Sequence, residues 1–156
     1  MTSDKNKWIE LGNNHRKMKE YKKASDCYQK ALEIDPNDVF AWNNLGNCYN
    51  AIGKQEKAIE CYEKTLEIEP NYAHAWCNVA STYEDIAEHD KALECYEKAL
   101  EIAPDDSNIL FNIALLFRNK NELLKALEYL DKVTSLNQND HKAWFNIGCI
   151  SRELFI

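Results

Sequence analysis

Six cysteines, four histidines and a recurring asparagine are the residues of this chain whose types and spacing could do chemistry. The cysteines stand at positions 27, 48, 61, 77, 95 and 149, and no two of them form a Cys-x-x-Cys pair. Zinc sites and redox dithiols depend on close, particular spacing, so free and largely buried thiols in a reducing compartment are expected. His15, His74, His89 and His141 share no i, i+4 spacing, which leaves no paired imidazoles on one helix face for a metal. There is no glycine-rich phosphate loop and no nucleophile elbow. Carboxylates are abundant, but they track a charged helix surface instead of standing alone in apolar surroundings that would raise a pKa for acid–base work. No catalysis, cofactor or metal is expected.

Asparagine is different. Asn44, Asn78, Asn112 and Asn146 recur every 34 residues. A carboxamide carries two donors and an acceptor, so it can hold a peptide unit by both its N–H and its C=O, whatever the side chain. Asparagine is also a poor helix former, so its recurrence on a helix asks for a reason.

The same period organises the whole chain. Trp8, Trp42 and Trp76 fall 34 apart with Trp144 two periods on, and Pro36, Pro70 and Pro104 keep the spacing. So do Cys27, Cys61 and Cys95, and Tyr28, Tyr62 and Tyr96. Residues 39–72 laid over 73–106 give 16 identities in 34 positions without a gap. Within one unit Trp42, Leu45, Gly46 and Tyr49 are spaced i, i+3, i+4, i+7, and Ala58, Tyr62 and Leu66 are spaced by four. Both are single-face helical patterns. A break at Gly53-Lys54 separates them, and Glu69-Pro70-Asn71 ends the unit, since proline cannot continue a helix interior and a neighbouring Asn or Asp can cap the next helix. Each unit reads as helix, tight turn, helix, turn.

The composition agrees. The chain has 156 residues, 45% hydrophobic and 29% charged, with four Gly and three Pro, which suits a folded helical protein and not a disordered or turn-rich β class. Nineteen basic against 26 acidic residues give a net charge of −7, a poor balance for gripping a phosphate backbone, so no nucleic acid partner is expected. The longest apolar stretch, residues 109–117, is nine residues and is interrupted by Asn112, well short of a membrane span. The first seven residues are polar, which predicts no secretory signal and a cytoplasmic location.

The pattern W-x2-L-G-x2-Y followed by Ala, Tyr, Ala and Pro at fixed offsets resembles the tetratricopeptide repeat family. The second unit carries it through Trp42, Leu45, Gly46, Tyr49, Ala58, Tyr62 and Pro70, with Thr65 departing. The first has His15 in place of the usual Tyr, and the third has Val79-Ala80 in place of Leu-Gly. The fourth is weakest, with Leu130, Val133 and Gln138 replacing Tyr, Ala and Pro. The resemblance sets an N-terminal tail at 1–4, repeats at 5–38, 39–72, 73–106 and 107–140, and the first helix of an incomplete fifth repeat at 141–156.

It implies an all-α fold, a solenoid of stacked antiparallel helix pairs wound as a right-handed superhelix, with first helices lining a concave groove. That groove would present Asn44, Asn78, Asn112 and Asn146 as an exposed ladder. Asn13 and Asn47 would flank it, and Phe40, Phe111 and Phe145 would add aromatic surface. The ladder resembles the groove asparagines in the tetratricopeptide region of O-linked N-acetylglucosamine transferase. The carboxylate clamp of chaperone-binding relatives is not expected, because Ile9 and His74 stand where two of its three cations belong and no third is supplied. The expected function is a non-catalytic protein–protein interaction module holding extended peptide segments. The alternatives are a substrate-recruiting region of a larger enzyme such as a glycosyltransferase, or a self-assembling scaffold. The apolar ending from Trp144 to Ile156 predicts self-association or a missing partner segment, since solenoids need polar caps.

Overall fold

The computed structural model describes residues 2–155, with side chains from Asp4 to Phe155. Among them nine helices follow in chain order and no strand occurs: α1 (Thr2–Lys17), α2 (Tyr21–Ile34), α3 (Val39–Ala51), α4 (Gln55–Ile68), α5 (Ala73–Asp85), α6 (His89–Ile102), α7 (Ser107–Asn119), α8 (Leu123–Leu136) and α9 (His141–Leu154). Helix α1 starts at Thr2, so residues 2–4 are helical. Met1 and Ile156 lie outside the described residues.

Each odd helix packs against the even helix that follows it, and each pair against the next, so the pairs stack in chain order into a solenoid. Local chemistry sets the breaks. Asp38, Asp106 and Asp140 cap α3, α7 and α9, each accepting from backbone N–H groups of the first turn. Tyr72 stands at the equivalent place before α5 and makes no such bond. Trp42, Trp76 and Trp144 donate their indole N–H to the carbonyls of Pro36, Pro70 and Gln138, at 2.8, 3.0 and 2.9 Å, which pins each inter-pair turn to the helix it introduces. The tight turn inside each pair uses one left-handed residue, at φ +59° (Lys19), +75° (Gly53), +60° (Ala87) and +61° (Asn121). These four positions are 34 apart, and glycine fills only one of them.

The core runs the length of the stack. Ala24, Ala58, Ala92 and Ala126 are wholly buried, and the side chains four positions on, Tyr28, Tyr62, Tyr96 and Leu130, are at most 2% exposed. Glycine at 12 and 46 lets the tyrosine ring of the second helix rest almost on the first helix's backbone: a Cβ at those positions would lie 2.9 and 2.5 Å from Tyr28 and Tyr62. In the third and fourth pairs Ala80 and Ala114 occupy that level. All six cysteines are free, with Cys27, Cys48, Cys61 and Cys95 buried and Cys77 and Cys149 half-buried. No helix among the described residues is long and apolar enough to cross a membrane.

Candidate functional site

Successive first helices stand side by side, and polar side chains tie them together. The Asn78 amide donates to Asn43 Oδ1 at 2.9 Å and the Asn50 amide to Asp85 at 3.0 Å, joining α3 to α5. Arg118 on α7 donates to Asn146 at 2.9 Å and reaches Glu153 at 3.5 Å on α9. The other joints use charges away from this seam. Lys5 on α1 meets Asp35 at 2.9 Å and Asp38 at 2.7 Å in the turn before α3, and Lys120 meets Asp90 at 2.7 Å. The hydrogen bonds of the two carboxylates, chiefly with Asp38, push the Lys5 ammonium up to about 12.

The four ladder asparagines are on this face, but they are not equivalent. Asn44 and Asn146 are only 5% and 8% exposed, where exposed carboxamides were expected. Each donates its amide to a carbonyl one turn back on its own helix, Phe40 at 2.8 Å and Lys142 at 2.9 Å. With no solvent to point into, each amide turns to its own backbone. Asn78 is half-buried with its amide committed to Asn43. Asn112 is half-buried and, among the described residues, its carboxamide makes no hydrogen bond.

Asn13 and Asn47 serve inside their pairs: the hydroxyls of Tyr28 and Tyr62 donate to their Oδ1 atoms at 2.7 and 2.8 Å. Each keeps its amide donors for another partner. In the third pair Ser81 replaces that asparagine and is too short to reach, so the Tyr96 hydroxyl donates to Glu84 at 2.7 Å. Burial raises the Glu84 carboxyl above its ordinary range, against the lowering effect of the Tyr96 hydrogen bond. Burial likewise drives the Tyr62 and Tyr96 hydroxyls far up, so both stay neutral donors.

The aromatic members differ in exposure. Phe40 and Phe145 are 45% and 69% exposed, and Phe111 is half-buried. Phe111 and Asn112 come together in a cleft of about 530 Å³ between α7 and α9, whose walls include Asn108, Asp140, His141 and Lys142. Asn44 and Asn78 do not line it. A larger cleft of about 810 Å³ lies on the other side of the stack, between second helices, with Trp42, Tyr49 and Cys61 in its lining. A similar one of about 600 Å³ recurs around Trp76, Tyr83 and Cys95. This recurrence follows from the spacing of second helices and contains none of the residues expected to bind.

Reading the sequence did not reveal the Tyr–Asn bonds or the amide contacts between first helices. The period was the available signal, since Asn13 and Asn47 lie 15 residues before Tyr28 and Tyr62 in both units. No group of three or more His, Cys, Asp or Glu side chains that could hold a metal occurs among the described residues.

Solved structures of similar fold include MamA, at 24% identity with a TM-score of 0.82 over 97% of this chain and 83% of that one. A second MamA structure has 25% identity and a TM-score of 0.80 over 92% of this chain and 84% of that one. PilF of Pseudomonas aeruginosa has 21% identity and a TM-score of 0.86 over 97% of this chain and 69% of that one. No curated protein sequence matches the chain. The family model described as Tetratricopeptide repeat matches residues 6–38, 39–72 and 73–106, and a second model of the same description matches 95–128. With more than half its residues so matched, this chain belongs to the tetratricopeptide repeat family.

Proposed function

We propose that the protein is a non-catalytic interaction module that takes an extended peptide of a partner protein along its first-helix face, anchored at the cleft between α7 and α9. The observation that carries this reading is the pairing of Phe111 with the unbonded carboxamide of Asn112 in that cleft. Asn112 supplies a donor and an acceptor for a peptide unit, and Phe111 an apolar wall for a neighbouring side chain. The exposed rings of Phe40 and Phe145 extend the apolar surface along the same side. Asn13, Asn47 and Asn78 offer what their internal bonds leave over, while Asn44 and Asn146 stiffen the face from beneath. The ladder thus becomes a mixed device, part framework and part ligand contact. That division differs from the uniform use of groove asparagines first inferred by resemblance to the O-linked N-acetylglucosamine transferase repeats.

The test is selection of peptides from a random display library on the full chain, followed by calorimetric titration against variants. Asn112→Ala should weaken every selected peptide by about tenfold, the size expected for one or two hydrogen bonds at roughly 0.5–1.5 kcal/mol each. Phe111→Ala should instead change which peptides are selected. Unaltered affinity and selection in the double variant would reject the cleft as the anchor.

A further inference from the structure

Trp8, Trp42 and Trp76 occupy one repeat position, and all three are half-buried. The lysine 22 residues further on recurs with them, as Lys30, Lys64 and Lys98. Two of these lysines cover the ring of their own unit. Lys30 stands 4.2 Å from the centroid of Trp8, and Lys98 4.4 Å from that of Trp76. The second unit departs from this. Lys64 pairs with Glu67 at 2.6 Å, and among the described residues no cation stands over Trp42.

Trp42 lines the cleft of about 810 Å³ between α2 and α4, with the buried side chains of Leu32 and Leu45 beside it. Its indole is held there by the N–H bond to the Pro36 carbonyl at 2.8 Å. The rim is acidic: Glu33 on α2 and Glu60, Glu63 and Glu67 on α4 stand against Lys57 and Lys64. Both lysines are engaged, Lys64 with Glu67 and Lys57 at 5.8 Å over Tyr49. Glu33, Glu60 and Glu63 are exposed and, among the described residues, hold no ion pair. Glu60, Glu63 and Glu67 follow at i, i+3, i+7. They make one stripe of carboxylates about 10 Å long on α4.

We propose that this cleft binds an arginine-rich segment of a partner protein, one guanidinium lying on the Trp42 ring and its neighbours pairing with the glutamates. The two covered tryptophans show what this ring accepts elsewhere in the same chain, a cation on its face. Arginine suits it better than lysine, because the planar guanidinium stacks on indole while its fork bonds a carboxylate. A stripe of carboxylates asks for several cations in a row, which a basic segment supplies and a lone amine does not. A second copy of this chain is disfavoured, since each carries a net charge of −7 and the two repel. The equivalent cleft around Trp76 already has its ring covered by Lys98. The α2–α4 cleft shares no residue with that of Phe111 and Asn112, so either site can fail without the other.

The experiment titrates the full chain into fluorescein-labelled peptides in which serine alternates with arginine, lysine or glutamate, at physiological salt, and reads anisotropy. Saturable binding of one arginine peptide per chain is expected, with weaker binding of the lysine peptide and none of the glutamate peptide. Glu60→Gln combined with Glu63→Gln should weaken the arginine peptide by about tenfold. Glu97→Gln combined with Glu101→Gln removes the same charge from exposed positions of α6 and should change little. Trp42→Leu should abolish the preference for arginine over lysine, with a thermal melt to check its fold. The two double variants decide the matter even where Trp42→Leu does not fold. Absence of saturable binding by the wild type, or equal weakening by the two double variants, would overturn the proposal. So would loss of the arginine peptide in Asn112→Ala, or a wild-type dimer in sedimentation that Glu60→Gln with Glu63→Gln makes monomeric.

Discussion

The ring of Tyr62 lies so close over Gly46 that a Cβ added there would stand 2.5 Å from its Cε1 atom. The hydroxyl of the same ring donates to Asn47, so the ring is fixed at its far end as well and cannot slide away. Gly46→Ala should therefore overpack the second pair and destabilise the protein by about 1–3 kcal/mol. Gly148→Ala should do the opposite, since its Cβ meets open space and alanine is the better helix former by about 1 kcal/mol. Parallel thermal melts decide it, and a shift of the same sign for both variants would contradict the packing argument.

The left-handed turn residues form a graded series. Ala87 and Lys19 bear a Cβ in a backbone conformation that costs an L-residue roughly 1–2 kcal/mol, whereas Gly53 adopts it freely. Ala87→Gly and Lys19→Gly should each stabilise by about 1 kcal/mol after the larger chain entropy of glycine is subtracted. Gly53→Ala should lose a similar amount, and Asn121→Gly should change little because asparagine tolerates this region. Urea midpoints at constant slope provide the measurement.

Glu84 gives a pH dependence. Its folded pKa is raised above the unfolded value by burial, with Asp85 acting in the same direction and the Tyr96 hydroxyl and His89 opposing. A carboxyl of that kind contributes its stability in full below the unfolded pKa and loses it as pH rises through the folded one. Glu84→Gln, which keeps an acceptor for Tyr96, should raise the melting temperature at pH 7 and lose that advantage near pH 4. A difference that stays constant across that window would show that burial of the charge is not its cause.

The thiols should react in a fixed order. Burial pushes Cys61 up to about 12 and Cys48, Cys77 and Cys95 up to about 11, and it raises Cys27 as well. At pH 8 Cys48, Cys61, Cys77 and Cys95 carry almost no thiolate, the reactive form, and Cys27 carries less than an unburied thiol would. Cys149 is half-buried on the uncovered helix α9. Mass spectrometry after brief alkylation should find the label on Cys149 in the folded chain and on all six after denaturation.

The helices were legible because the period of 34 repeats most of the cues they need: the Trp, the small residue at the crossing and the proline that ends the pair, with Leu110 and Gln138 departing in the fourth. The break expected at Gly53-Lys54 is where α3 ends and α4 begins. The binding face was legible only in part. Residue spacing places Asn44 and Asn112 at one repeat position, yet one is buried against its own helix and the other lies half-buried in a cleft. That difference is set by side chains on other elements and not by the ladder itself. Tyr28 and Tyr62 could be read as core from their period, but not that their hydroxyls would claim Asn13 and Asn47.

The fastenings between successive pairs are chemically uneven, and this bears on how the stack bends. The first joint closes through Lys5 with Asp35 and Asp38, and later ones use Lys120 with Asp90 and Arg118 with Glu153. Between α3 and α5, however, the fastening is amide to amide and amide to carboxylate, with no pair of opposite charges. Mobile ions weaken attraction between exposed charges over about 10 Å at 0.1 M and leave neutral dipolar contacts largely alone. Raising ionic strength should therefore loosen the spring toward its last coils, where Asp90 and Glu153 stand in solvent, while the partly buried joint at Lys5 and Asp38 and the middle coil keep their stiffness. The curvature offered to a ligand then becomes a function of the surrounding electrolyte.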